Sequence, residues 1–367
     1  MKYFFVCISV ICILLIACQS EIETSTDYER IVIDPNELVE SDTISDFFEK
    51  MSFVPLETSK DILVGGHTYS DYYQDKIYIQ HAESDEIYIF SKEGKHIRTI
   101  SSKGKGPQEY IGIANFTIDP FNNKLILVDI SSKKLMQYSL EGVYEDEVQL
   151  DFFPRGVYVI DSKHYAVKKQ NRGEGMELVT INHAGQIHKT TYRANPRLVV
   201  VHKGVELQRN NQIGLYTEFL NDTVYKITMD TVTPYVYFDF MDKKLTPQKL
   251  NELTELAWKR KWPSRLPKDL FGEIIRLIQT DERNFLSFFS LGHLSFIQTN
   301  RNTKEIKYYS CRDYQNINDR IMRSIDVATP EGEFIGIMDA IDVMEITDEL
   351  NIVETSNPVL LFFKIRK

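Results

Sequence analysis

Residues 75–100, DKIYIQHAESDEIYIFSKEGKHIRTI, align without a gap to residues 123–148, NKLILVDISSKKLMQYSLEGVYEDEV, at an offset of 48. Ile77 matches Leu125, Ile79 matches Leu127, Ile87 matches Leu135, Phe90 matches Tyr138 and Gly94 matches Gly142. Both copies alternate apolar and polar residues in short runs broken by turn residues, the mark of strands. A weaker third copy, KHYAVKKQNRGEGMELVTINHAGQIHKT from Lys163, keeps the glycine at Gly185. Two more, NQIGLYTEFLNDTVYKITMDTVTPYV from Asn211 and HLSFIQTNRNTKEIKYYS from His293, carry the pattern on without it. Four short strands in a unit of about 40–50 residues make a propeller blade. One such sheet cannot cover its own two faces, and stacking blades around an axis buries both.

From Met51 to the C-terminus the chain holds about six such units of about 46 residues, once one interruption is set aside. The final strand, NPVLLFFKIRK from Asn357, has no following partner, and MSFVPLE at Met51 precedes the first full blade. Pairing the two closes a six-bladed ring and removes open sheet edges. The interruption, residues 246–282, falls between blades four and five. Thr246 before Pro247 is a helix start, and Leu250, Leu253, Leu256 and Ala257 share one helical face. A second helix is expected after Pro267, with Leu270, Ile274, Leu277 and Ile278 at helical spacing. Such a hairpin packs its apolar stripe on the side of the ring, or presents Trp258, Arg260, Lys261 and Trp262 to a partner.

The first 17 residues, MKYFFVCISVICILLIA, combine Lys2 with an apolar run too short to span a bilayer, as a secretory signal does. Leu15-Ile16-Ala17-Cys18 resembles the lipobox of bacterial lipoproteins, which implies cleavage before Cys18 and lipidation of its sulfur. In that class an aspartate after the cysteine retains the protein at the inner membrane, so Gln19 points to the outer membrane. Residues 18–45 open polar and acidic and read as a flexible tether, leaving 46–367 as the propeller. Cys7 and Cys12 leave with the signal, so Cys311 stands alone and no disulfide staples the fold. A hydrophobic content of 43%, with 20 Tyr and 21 Phe, supports a sizeable core instead. A net charge of −10 argues against a nucleic-acid footprint.

With the repeat, the lipobox, V-P-L-E-T from Val54 and G-x-G-P-x-E-Y from Gly104, the chain resembles the bacterial six-bladed β-propeller lipoproteins, related in blade pattern to NHL-repeat propellers. The resemblance implies the fold and an envelope location, and it carries over no catalytic residue.

The loop GKGPQEY, residues 104–110, is not a phosphate cradle. Pro107 has no amide to donate and a strand follows, where a P-loop needs a helix. Gly104, Gly106 and Pro107 instead make the crossover turn from blade one to blade two. Strand order then gathers on one face of the ring His81, Asp129, Lys105, Glu109, Tyr110, Arg155 and Arg172, the candidate ligand-binding residues. No metal-ligand spacing joins the eight histidines, and no G-x-S-x-G elbow is present. The expected protein is a lipid-anchored binding module for a glycan, peptide or protein partner, without identified catalysis. A calcium-dependent enzyme of lactonase, lyase or glycosidase type is the alternative, since calcium ligands scattered around a channel leave no sequence spacing. A scaffold docking a membrane partner through the helical insertion is the third.

Overall fold

The computed structural model describes residues 28–81, 83–171, 175–193, 205–210, 213–218, 221–258 and 270–366. Strands β1 (Glu29–Val32) and β2 (Phe48–Pro55) precede the first blade, which comprises β3 (His67–Tyr73), β4 (Lys76–His81), β5 (Ile87–Ser91) and β6 (His96–Ile100). Blade two holds β7 (Ile113–Asp119), β8 (Lys124–Asp129), β9 (Lys134–Ser139) and β10 (Tyr144–Gln149). Blade three holds β11 (Phe153–Val159), β12 (His164–Asn171), β13 (Gly175–Asn182) and β14 (Ile187–Arg193). Blade four holds β15 (Val205–Asn210), β16 (Ile213–Glu218), β17 (Thr223–Ile227) and β18 (Val232–Asp239). Blade five holds β19 (Phe271–Gln279), β20 (Arg283–Ser290), β21 (His293–Asn300) and β22 (Ile306–Cys311). Blade six holds β23 (Ile325–Ala328), β24 (Phe334–Met338) and β25 (Val359–Ile365), completed by β2. The fold is an all-β, six-bladed propeller, as the repeat predicts.

The first strand of each blade lies on the axis, and β3, β7, β11, β15 and β19 neighbour one another in turn while β23 adjoins β3. One apolar cluster fills the gap between each pair of adjacent blades. Between blades one and two it includes Tyr78, Ile89, Phe116 and Leu127, and between five and six Phe285, Phe296, Phe334 and Phe363. The repeated glycines serve this packing. Gly94, Gly142 and Gly185 each have φ +79, in the turn before a blade's last strand. A Cβ there would strike the preceding blade, at Pro55 O, Arg98 and Gln149 O respectively.

Ring closure is the antiparallel pairing of β2 with β25, from Phe48↔Ile365 to Pro55↔Val359. A buried amide latches it. Asn357 Oδ1 accepts from Val64 N at 2.7 Å, and its Nδ2 donates to Glu57 O at 2.7 Å and Ile62 O at 2.9 Å. The C-terminal strand is thereby fastened to the loop entering blade one.

Two sequence expectations need correction. The tether does not extend to residue 45. From residue 28 the chain lies on the ring, with β1 parallel to β18, Arg30 paired to Asp239 and Glu40 paired to Arg312. Ile33 and Phe47 are fully buried along this strap. Nor do Leu270, Ile274, Leu277 and Ile278 lie on a second helix. The helix Pro247–Trp258 forms, with Thr246 Oγ1 accepting from Lys249 N at 3.2 Å, and Leu253 packs against Leu250 and Leu270. Residues 271–279 are instead β19, whose register slips at Gly272/Ile274 and again at Ile274/Arg276. Each bulge inserts one residue, so apolar positions recur at three- and four-residue spacing although the backbone is extended. Among the described residues no helix is long and apolar enough to cross a membrane.

Asp222, in the turn between β16 and β17, lies against Gly272 at the first bulge, and its Oδ1 is buried without a hydrogen-bond partner among the described residues. Burial pushes its carboxyl up to about 8, opposed by Lys244 and reinforced by Asp239.

Two outcomes follow from these contacts. Asn357→Ala strips three backbone groups of their partner and should cost about 3 kcal/mol or more in urea unfolding. For Asp222, a folded pKa above the ordinary carboxylate value means that its stabilising protonated form is complete below pH ~4 and is lost as pH rises through about 8. Asp222→Asn should therefore gain stability relative to the natural protein between pH 5 and 8, and an unchanged difference would refute the assignment.

Candidate functional site

The chain's alternation gives the channel two chemically different ends. Crossovers between blades and the second-to-third turns share one end, while the first-to-second and third-to-fourth turns share the other. At the crossover end most of the candidate side chains are engaged with the scaffold. Glu109 accepts from Gly106 N at 2.6 Å, and Tyr110, fully buried, donates to Ile100 O at 3.2 Å. Asp129 accepts from Ser131 N, Ser132 N and Ile111 N, and Asp85 holds Ile113 N and Lys103. His81 Nδ1 accepts from Glu83 N at 2.9 Å and Ser84 N at 3.1 Å. Lys105 is exposed, and exposed Arg155 reaches Gln170 Oε1 at 2.7 Å. Arg172 and Cys18 lie outside the described residues.

A cavity of about 690 Å³ opens at the other end, and none of those six described candidates lines it. Its walls come from blades five, six and one: Tyr69–Tyr73 of β3, residues 276–283 from β19 into β20, and residues 326–333 from β23 to the edge of β24. Pro120 and Phe121, from the first turn of blade two, and Lys364 of β25 complete it. The site is thus assembled from the axial strands and the turns that follow them.

At its floor Asp326 joins three blades. Ser70 Oγ donates to the Asp326 carboxylate, and Arg276 donates both to that carboxylate and to the Asp326 carbonyl. This fixes β3, β19 and β23 relative to one another. Tyr72, whose phenol is raised by burial and by its 2.8 Å hydrogen bond to Asp75, stands on the same wall. Lys364 is paired with Glu49 at 2.8 Å. Phe121, 45% exposed, offers an aromatic face at the rim. Four carboxylates, Asp281, Glu282, Glu331 and Glu333, line the cavity without an ion pair among the described residues. No three His, Cys, Asp or Glu among the described residues form a group that could hold a metal ion.

Sequence reasoning misses this site because the apolar spacing of β19 imitates a helix, which hides Arg276 and the tight turn TDERN, residues 280–284. The signal available was the ends of the axial strands, where charged residues follow apolar ones in β19 and in β23.

Comparison with solved structures places the fold. A protein of Bacteroides fragilis described as exported by inference superposes with a TM-score of 0.74 at 16% identity, over 92% of this chain and 100% of its own. A member of the DUF4221 family from Bacteroides vulgatus gives 0.54 at 11% identity, over 87% and 97%. These likenesses establish the propeller and nothing finer. None of the curated proteins compared with the chain matches it. The model of one family, described as a domain of unknown function, DUF4934, matches residues 30–364, and the chain belongs to that family.

Proposed function

We propose that this protein is a lipid-anchored, exported propeller that binds a glycan, peptide or protein segment in the cavity at the turn end of its channel. The cavity carries the reading: about 690 Å³ falls within the range of ligand clefts, and its wall mixes aromatic faces with converging charged groups. Export rests on the signal-like residues 1–17 and the lipobox ending at Cys18, and agrees with the description of the Bacteroides fragilis protein as exported. A ligand in this cavity touches three blades at once, so binding reads out the relative position of axial strands that are already fixed by Asp326. That is a preformed receptor, which needs little reorganisation to bind.

Panels of oligosaccharides and short peptides screened by thermal shift should yield a ligand that raises the melting temperature, since a ligand binding only the folded state stabilises it. Ala328→Trp fills the cavity and should abolish that shift. Phe121→Ala, on an exposed turn, should weaken it without lowering the melting temperature of the free protein. A ligand indifferent to both substitutions would place binding elsewhere.

Membrane attachment is tested separately. Cys18→Ala should move the protein from the membrane pellet to the soluble fraction and abolish labelling with a fatty-acid probe. Retention in the pellet without label would remove the lipid anchor from this reading.

A further inference from the structure

Arg283 begins β20 immediately after the turn from β19 and lines the cavity while only 6% exposed. Its backbone is satisfied, the N–H donating to Thr280 Oγ1 at 3.1 Å and the carbonyl accepting from Thr280 N at 2.8 Å. Its guanidinium makes no hydrogen bond and no ion pair among the described residues. The contrast with Arg276 is direct. That side chain, on the preceding strand β19, is bound to Asp326, whereas Arg283 is buried beside a cavity with four unpaired carboxylates on its wall and meets none of them.

A cation this deeply buried keeps only a little of its hydration, and without a protein partner nothing makes up for what it loses. Such a position is tolerable where a partner arrives from outside. A guanidinium offers its donors in a planar fork that matches an oxyanion. The wall sets the remaining chemistry. Asp281, Glu282, Glu331 and Glu333 give the mouth an excess of negative charge, so a polyanion is repelled. A ligand with a carboxylate at the buried guanidinium and a positive group among the more exposed acids meets both parts of the field. Phe121 at the rim and Ile278 on the wall supply apolar contact between them.

We propose that Arg283 receives the C-terminal carboxylate of a short peptide, whose amino terminus or basic side chain faces Asp281, Glu282, Glu331 and Glu333. This rests on the cavity being the binding site and names the class of ligand it takes.

The test uses the full chain with pooled tripeptides bearing free C-termini, the same pool amidated, the same pool N-acetylated, and digalacturonate as a polyanion, followed by thermal shift and saturation-transfer NMR. The free pool should bind. Amidation and Arg283→Gln should each weaken it by about 10- to 100-fold, the loss of one charge-assisted contact. Glu331→Gln combined with Glu333→Gln should weaken the free pool more than the acetylated one. Equal binding of amidated and free pools, preference for digalacturonate, or no binding of any peptide would overturn the proposal. If Ala328→Trp blocks peptides while Arg283→Gln does not, the carboxylate assignment alone fails; if Ala328→Trp does not block them, the cavity reading fails first. Arg283→Met also separates the roles without ligand. A guanidinium kept for a ligand leaves the melting temperature unchanged or raised when removed, and a lowered melting temperature would assign Arg283 to the scaffold and sink the idea.

Discussion

The structure depends on one constraint: a twisted four-stranded blade has two apolar faces and no means of covering either alone. Each face must find the next blade, so stability resides between blades more than within them. The six interblade clusters meet this need, and the chain's two ends must meet as well for the sixth to form. Pairing of β2 with β25 supplies that closure, and the Asn357 latch keeps it from fraying at the loop before blade one. The strap from residue 28 to residue 47 adds a second fastening, crossing the outside of blades four, five and six on its way to β2. An N-terminal segment that must travel to close the ring is used as a belt on the way.

The features that follow from this constraint were legible in the sequence, because they repeat. Gly94, Gly142 and Gly185 recur at the same place in three blades for one reason, the approach of a turn to the neighbour's backbone or side chain at positive φ. Blade number and the pairing of the first and last strands follow from the same period. Features that break the period were not legible. In β1, four residues with half-exposed alternation look like any polar segment, and only the edge of blade 4 gives them a partner. In β19 two bulges shift the inward-facing positions, so that an extended chain imitates helical spacing in its side chains. A period-based reading fails where the backbone inserts residues, and here it failed on an axial strand that builds the cavity.

The cavity shows the same limit from another side. Its three main walls come from sequence blocks about 200 and 50 residues apart, brought together only because the last blade adjoins the first. No local motif marks them, since each block is an ordinary strand end followed by a turn. What joins them is the ring, and Asp326 records it, touching Ser70 and Arg276 from two other blades.

The two ends of the channel divide structural and binding work for a topological reason. Crossovers must carry the chain from the outside of one blade to the axis of the next, so they are long, and their amides need acceptors. Asp85, Glu109 and Asp129 supply those acceptors and are thereby removed from ligand chemistry. Turns at the other end join adjacent antiparallel strands and satisfy their amides locally, as Thr280 and Arg283 do with each other. Thr280 and Asp119 lend side-chain oxygens to that task, but among the described residues the carboxylates of Asp281, Glu282, Glu331 and Glu333 hold no turn amide. Charged groups there can stay open to an incoming molecule, which is why the unpaired carboxylates and the buried guanidinium collect at the end where the chain has least need of them.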